Sequence, residues 1–176
     1  MDIIKLFILG AVGAAGYLFL GLYDAAQLKK NQRLSRVFAF GFFLAAIPYL
    51  LLFFTFVTPH LRHISIPLLL LAITAGGATG YIVLLEIPKN HHNHTTVYDR
   101  GTYARVRHPG FLTHFVLNTF IVLYFFNLEV LLLCTVYVIC NLILITVEDI
   151  YLFPRLFVDY DAYKERTGFL IPKRRK

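Results

Sequence analysis

Three long apolar blocks, Ile3–Tyr23, Val37–Val57 and Ile64–Leu85, constrain this chain more than any motif in it. Each runs 21 or 22 residues, and Lys5 is their only charged side chain. At about 1.5 Å per residue, such a block spans roughly 30 Å as a helix, one hydrocarbon thickness of a bilayer. Two shorter blocks follow, Phe111–Phe126 and Val130–Val147, separated only by Asn127, Leu128 and Glu129. With 58% hydrophobic and 15% charged residues, the composition lies far from that of a soluble domain. The pattern predicts an all-α integral membrane protein with five transmembrane helices in a single domain. Helices 1–3 fall in residues 1–88, and a tight hairpin of helices 4 and 5 falls in residues 89–176. The first block has the weakly basic start and small residues of a signal peptide. Its apolar run continues to Tyr23, which predicts a retained helix.

A net charge of +7 would suggest nucleic acid in a soluble protein, but its distribution points elsewhere. Lys29, Lys30, Arg33 and Arg36 lie between helices 1 and 2. Lys89, Arg100, Arg105 and Arg107 lie between helices 3 and 4, and Arg155, Lys164, Arg166, Lys173, Arg174, Arg175 and Lys176 follow helix 5. If five helices alternate, all of these share one side, and only Lys5 and Arg62 lie on the other. The positive-inside rule then places the N-terminus outside and the C-terminus in the cytoplasm. The expected partners are anionic lipid headgroups, not nucleic acid.

Small residues at Gly10, Gly13, Ala14 and Gly16, and again in "AGGATG" (Ala75 to Gly80), predict close helix approach. A functional alternative is that Gly77 and Gly80 clear room for a ligand. Cys134 and Cys140 stand six residues apart on one helix and point in different directions. They are read as packing residues, not as a disulfide.

The hairpin carries the most useful geometry. Its turn is centred on Leu128, and His108 and Glu148 lie twenty residues to either side. In an antiparallel hairpin, equal distance from the turn means equal depth, so the basic cluster before helix 4 must face Glu148 and Asp149. Other ionisable groups in the apolar blocks are few: Asp24 and Glu86 at ends, and His114 one turn into helix 4. Within "GTYARVRHPG", Gly101 permits a turn, Pro109 suits the first helical turn, and His108 before it is biased towards extended backbone. Exposed amides at that helix start, with Arg107 and His108 as donors and the acids as acceptors, suit a ligand bearing both an ammonium and a carboxylate. After Pro154, "RLFVDYDAYKER" sets Leu156, Tyr160 and Tyr163 at helical spacing. It predicts an amphipathic helix that either anchors the tail or covers the pocket.

"GTYARVRHPGF", then "VED" one hairpin later, then "YDAYKERTGFLIP", together resemble the catalytic half of the isoprenylcysteine carboxyl methyltransferase family, which extends to the phospholipid N-methyltransferases. The resemblance runs from about Thr95 to Pro172. It implies an S-adenosylmethionine-dependent methyltransferase acting on a lipophilic acceptor: a prenylcysteine carboxylate, a phospholipid amine or a small thiol. The implied cofactor contacts are Thr95, Thr96, Val97, Tyr98, Tyr103, His108, Pro109, Gly110, Phe111, Glu148 and Asp149. The implied catalytic residues are Arg107, His108 and Glu148, with His114 a remoter candidate base. Phe111 stands where the family usually has Tyr. Asp149 stands where it has Glu, and Leu144 where its carboxyl methyltransferases often carry Arg. The last departure bears on a prenylcysteine carboxylate as acceptor rather than on methyl transfer, and Phe111 and Leu144 together are what a non-catalytic relative would show.

His91, His92 and His94 in "NHHNH" could ligate zinc, but without Cys or carboxylate neighbours they are read as a solvated loop, and no metal is expected. His60 and His63 are read as interfacial. Two other readings remain open: a nicotinamide-dependent, sterol-reductase-like enzyme, and a non-catalytic membrane relative.

Overall fold

A computed structural model describes residues 3–57, 65–86 and 95–173. Among these, the chain is helical with no strand. The elements are α1 (Ile3–Leu28), α2 (Gln32–Phe38), α3 (Gly41–Val57), α4 (Ile66–Gly80), α5 (Pro109–Phe125), α6 (Leu128–Val147), α7 (Phe153–Leu156) and α8 (Tyr160–Arg166). The segments carrying His60, Arg62, His63 and Lys89 to His94 lie outside the described residues, as do Arg174 to Lys176.

Four helical spans among the described residues are long and apolar enough to cross a membrane: Ile4–Leu28, Gln32–Phe53, Ile66–Glu86 and Leu128–Leu156. The other long apolar helix, α5, has 17 residues. Much of the bundle's outer surface consists of large exposed apolar side chains, such as Phe7, Leu18, Phe43, Ile73 and Ile143. Water would not tolerate such a surface, and lipid does. The protein is a membrane protein.

Three boundaries differ from the sequence pattern. The second block starts earlier, at Gln32, and is broken at Ala39 and Phe40. Asn31 caps the new start by accepting from Leu34 N at 3.1 Å. The hairpin turn is Phe126–Asn127, not centred on Leu128, because Asn127 accepts from Glu129 N (2.7 Å) and Val130 N (3.3 Å) and so starts α6 early. Finally, α4 and α6 each end in a wider π turn, Tyr81–Glu86 and Glu148–Leu152. Apolar periodicity does not reveal such turns, and they recur at functional sites.

The glycines divide sharply. A Cβ on Gly13 would run into the Tyr137 ring, and one on Gly16 would meet the Ala45 backbone of α3. Those positions let α1 seat closely against α6 and α3, as small residues do in membranes. A Cβ on Gly77 or Gly80 meets nothing within 4 Å. The core, including Leu9, Leu52, Ile121, Val130, Leu133, Cys134 and Tyr137, fills the bundle on the turn side. Both cysteines are free.

Candidate cofactor site at the foot of the hairpin

The polar segment before α5 is held in place by one buried acid. The one-turn 3₁₀ helix Gly101–Ala104 offers its Thr102 amide and hydroxyl to Glu86, at 2.9 and 2.7 Å. Gly101 has φ 57, in the left-handed region, and a Cβ there would collide with Glu86 Oε1. Gly101→Ala is therefore expected to destabilise the protein by at least about 1–2 kcal/mol from backbone strain alone. Thermal unfolding in detergent reads this. Wild-type stability in the variant would contradict the turn assignment.

Arg107 and His108 follow directly, and α5 begins at Pro109 with His108 as its N-cap, at φ -125 and ψ 64 and so short of the extended backbone that the sequence predicts. Arg107 is committed to the protein. Its Nε and Nη2 donate to the two Asp149 oxygens at 2.7 and 3.2 Å, while Nη1 donates to Thr167 O (2.7 Å) and Lys164 O (3.3 Å). Its backbone amide donates to Gly168 O at 2.8 Å. Asp149 also accepts from the Tyr160 hydroxyl at 2.7 Å, with Lys164 Nζ 3.5 Å away. The Tyr163 hydroxyl donates to Tyr103 O at 2.7 Å. Thus α8 does more than anchor the tail: its two tyrosines are buried against the hairpin's foot.

His108 and Glu148 are disposed differently. The His108 side chain is 5% exposed, with Nδ1 3.7 Å from Glu148 and Nε2 3.5 Å from Asp149. Both distances exceed a good hydrogen bond, and Nε2 has no hydrogen-bond partner among the described residues. Glu148 instead lies close to Asp24 of α1. No Lys or Arg among the described residues pairs with either of these carboxyls. Asp24 was not singled out as a site residue by sequence reasoning. Its signal was present, an acid at the last turn of an apolar block, but α1's rotation was not.

Burial is the main influence on His108, holding its imidazole below the ordinary value, and Arg107 adds to this while Asp149 opposes it. Unfolded, the imidazole takes up a proton at about pH 6.5 that the folded protein resists. Stability is therefore full above that pH and declines as pH falls towards the lower folded value. Melting temperatures between about pH 5 and 8 are expected to fall on the acid side, less steeply in His108→Gln. Equal slopes in both proteins would contradict this.

The other predicted contacts are partly gathered. Thr95 O accepts from Val158 N at 3.0 Å, and Val97 N donates to Asp159 at 2.8 Å, tying the Thr95–Tyr98 segment to the linker before α8. Thr96 lies between them. Tyr98 is buried edge-on to Tyr103, ring centroids 5.8 Å apart. Pro109 is buried, and Gly110 lies where a Cβ would press on Val83. Phe111 is buried and stacks on Phe115 at 6.5 Å. Leu144 faces Gly21 of α1. Among the described residues, no set of three or more His, Cys, Asp or Glu converges as metal ligands. No protein-family model, curated protein or solved structure matches this chain.

Proposed function

We propose that this protein is an S-adenosylmethionine-dependent methyltransferase of the isoprenylcysteine carboxyl methyltransferase kind, with its site at the foot of α5 and α6. The observation that carries this is the Asp24–Glu148 pair beside an unpartnered, buried His108 nitrogen. Two carboxyls close together, at a membrane helix end, cost stability unless a cation or several hydroxyls face them. The cofactor offers an ammonium, a sulfonium and ribose hydroxyls, so the donor set fits. A nicotinamide cofactor fits less well. Its phosphates need free guanidinium or ammonium groups, and here Arg107 and Lys164 are turned to Asp149.

In this reading the membrane is crossed five times, α5 included, with the N-terminus outside and the site cytoplasmic. Fifteen of the seventeen Lys and Arg would then lie on the cytoplasmic side. The bound cofactor supplies an electrophilic methyl group. The chain's residues align, dry and deprotonate. Glu148 and Asp24 hold the cationic and hydroxyl groups. Arg107 is a positioning residue, fixing Asp149 and drawing the tail over the site. Tyr160 and Tyr163 exclude water from beneath α8, leaving donor and acceptor aligned in a dry pocket. An amine or thiol acceptor must lose a proton, and His108, held towards its neutral form, is the ring placed to take it.

Labelled methyl transfer from S-adenosylmethionine to thiol, amine and carboxylate amphiphiles tests the reading. Product is expected with at least one class, and at least about ten-fold less of it with Glu148→Ala at sub-saturating S-adenosylmethionine. No product from any class, with S-adenosylhomocysteine bound, would overturn the enzyme assignment.

A further inference from the structure

Most polar groups of this protein are taken up by other groups of its own. The buried layer around His114 is closed on itself: Tyr17, Tyr49 and Asn118 lie 2.7, 2.8 and 3.1 Å from its Nε2, and Asn141 lies 3.1 Å from its Nδ1. The cations of the hairpin foot and tail face protein oxygens. Arg107 and Lys164 are turned to Asp149, and Arg166 Nη2 stands 3.5 Å from Asp99. Arg155 donates to Tyr151 O at 2.6 Å, and Lys173 Nζ donates to the Lys164 and Glu165 carbonyls at 2.7 and 3.1 Å.

The corner formed by the end of α1 and by α2 is different. Lys29, Lys30, Arg33 and Arg36 fall within eight residues there, and all four are exposed. Among the described residues their side chains make no hydrogen bond or ion pair. The nearest acid before them, Asp24, lies close to Glu148, and no acid follows as far as Val57. Lys29 stands five residues past Asp24, so the corner begins about 7 Å beyond the level of the acid pair along α1. The inner side of α2 is Ser35, buried with its hydroxyl on Asn31 O at 3.1 Å, and Phe38, edge-on to Phe19 of α1 at 5.5 Å. By helical spacing its outer side carries Arg33, Arg36 and Val37, with Phe40 just past its end. Val37 is 59% and Phe40 53% exposed. A face that mixes cations with exposed apolar side chains suits the boundary of a bilayer, where the apolar groups reach acyl chains and the cations reach phosphates. The backbone adds a second sign. Lys30 has φ 53, in the left-handed region that glycine or asparagine enters most cheaply. Its amide on Gln27 O and that of Asn31 on Ala26 O, both at 2.9 Å, hold it there and close the end of α1. A lysine at that position gives up local stability to put another positive charge in a crowded corner, as residues kept for a ligand do.

We propose that this corner binds the phosphate-bearing headgroup of an anionic membrane lipid, with Lys29, Lys30, Arg33 and Arg36 as its counter-charges and Val37 and Phe40 against its acyl chains. Charge complementarity selects the occupant. Four like charges with no acid among them repel one another and attract an anion. The apolar side chains beside them place that anion at a bilayer surface, not in free solution. A zwitterionic lipid brings its own ammonium group and loses much of the attraction. Arg100 and Arg105 are also exposed and unpaired among the described residues, but Asp99 adjoins them and residues 99–105 include no Val, Leu, Ile or Phe. The site needs nothing from the methyl-transfer reading and stands if that reading fails.

The test is thermal unfolding of the full chain, followed by circular dichroism, in nanodiscs of phosphatidylcholine alone and of phosphatidylcholine with about one third phosphatidylglycerol. The anionic lipid is expected to raise the wild-type midpoint by at least about 2–4 °C at low salt, and by less at high salt. The variant Lys29→Gln/Lys30→Gln/Arg33→Gln/Arg36→Gln is expected to keep the phosphatidylcholine midpoint and to lose most of that gain. Lys30→Gly alone is expected to raise the phosphatidylcholine midpoint by relieving the backbone and to narrow the gain. Arg166→Gln/Lys173→Gln removes two cations that already face protein oxygens, and is expected to leave the gain intact. No gain in the wild type, a gain that survives the four-fold variant, or one lost equally in the tail variant would overturn the proposal. Glycerol phosphate that matches the gain in phosphatidylcholine discs would assign the corner to a soluble anion and overturn it too.

Discussion

Asp149→Ala is expected to lose about 3–5 kcal/mol of stability, the largest effect of any single change at this site. The replacement leaves the Arg107 guanidinium buried, with 9% side-chain exposure, and without its bidentate partner. The Tyr160 hydroxyl loses its acceptor at the same time. The damage is expected to spread to the tail, because Arg107 also holds the Thr167 and Lys164 carbonyls. Chemical unfolding in detergent measures the loss, and limited proteolysis within residues 167–173 reads the loosening. Replacing both partners, with Arg107→Met and Asp149→Leu, is expected to recover much of the stability, since the charges are then removed together. A cost below about 1 kcal/mol for Asp149→Ala would place the pair in the class of exposed salt bridges and contradict its structural role.

Glu148→Ala is expected to behave in the opposite way. Among the described residues Glu148 pairs with no Lys or Arg and lies close to Asp24, so its removal relieves crowding of two carboxyls. The unliganded protein should melt at or above the wild-type temperature. Cofactor binding should weaken roughly ten- to a hundred-fold, the equivalent of one or two charge-assisted hydrogen bonds. This combination of better stability with worse binding is the mark of a residue kept for its ligand. A merely structural Glu148 would show the reverse: lower melting temperature with affinity intact. The neighbouring acids are thus expected to separate by function, Asp149 holding the fold together and Glu148 serving the proposed ligand.

Much of this was legible in the sequence because it depended on local chemistry and chain length. Pro109 after His108 marked the start of α5, and Gly101 marked a turn whose φ only glycine accepts cheaply. The mirror placement of His108 and Glu148 about the turn put them side by side, and they stand 3.7 Å apart even though Asn127 moved the turn. What was not legible depended on how each helix is rotated about its axis. Glu86 read as a helix end, yet its oxygens anchor the 3₁₀ turn through Thr102. Asp24 read as a flank, yet it completes the acid pair. Tyr17, Tyr49, Asn118 and Asn141 vanished among apolar neighbours. Arg107 and His108 looked equivalent as donors. Only the geometry separates them, one saturated by protein acceptors and the other with Nε2 3.5 Å from Asp149 and no hydrogen bond to it among the described residues.

The most direct test of the central claim is equilibrium binding of S-adenosylhomocysteine to the purified full chain in detergent, by isothermal titration, with Glu148→Ala and reduced nicotinamide dinucleotide phosphate as comparisons. The account expects saturable binding to the wild type, binding at least about ten-fold weaker to the variant, and no binding of the nicotinamide. Binding of the nicotinamide instead, or equal binding of S-adenosylhomocysteine by wild type and Glu148→Ala, would contradict it.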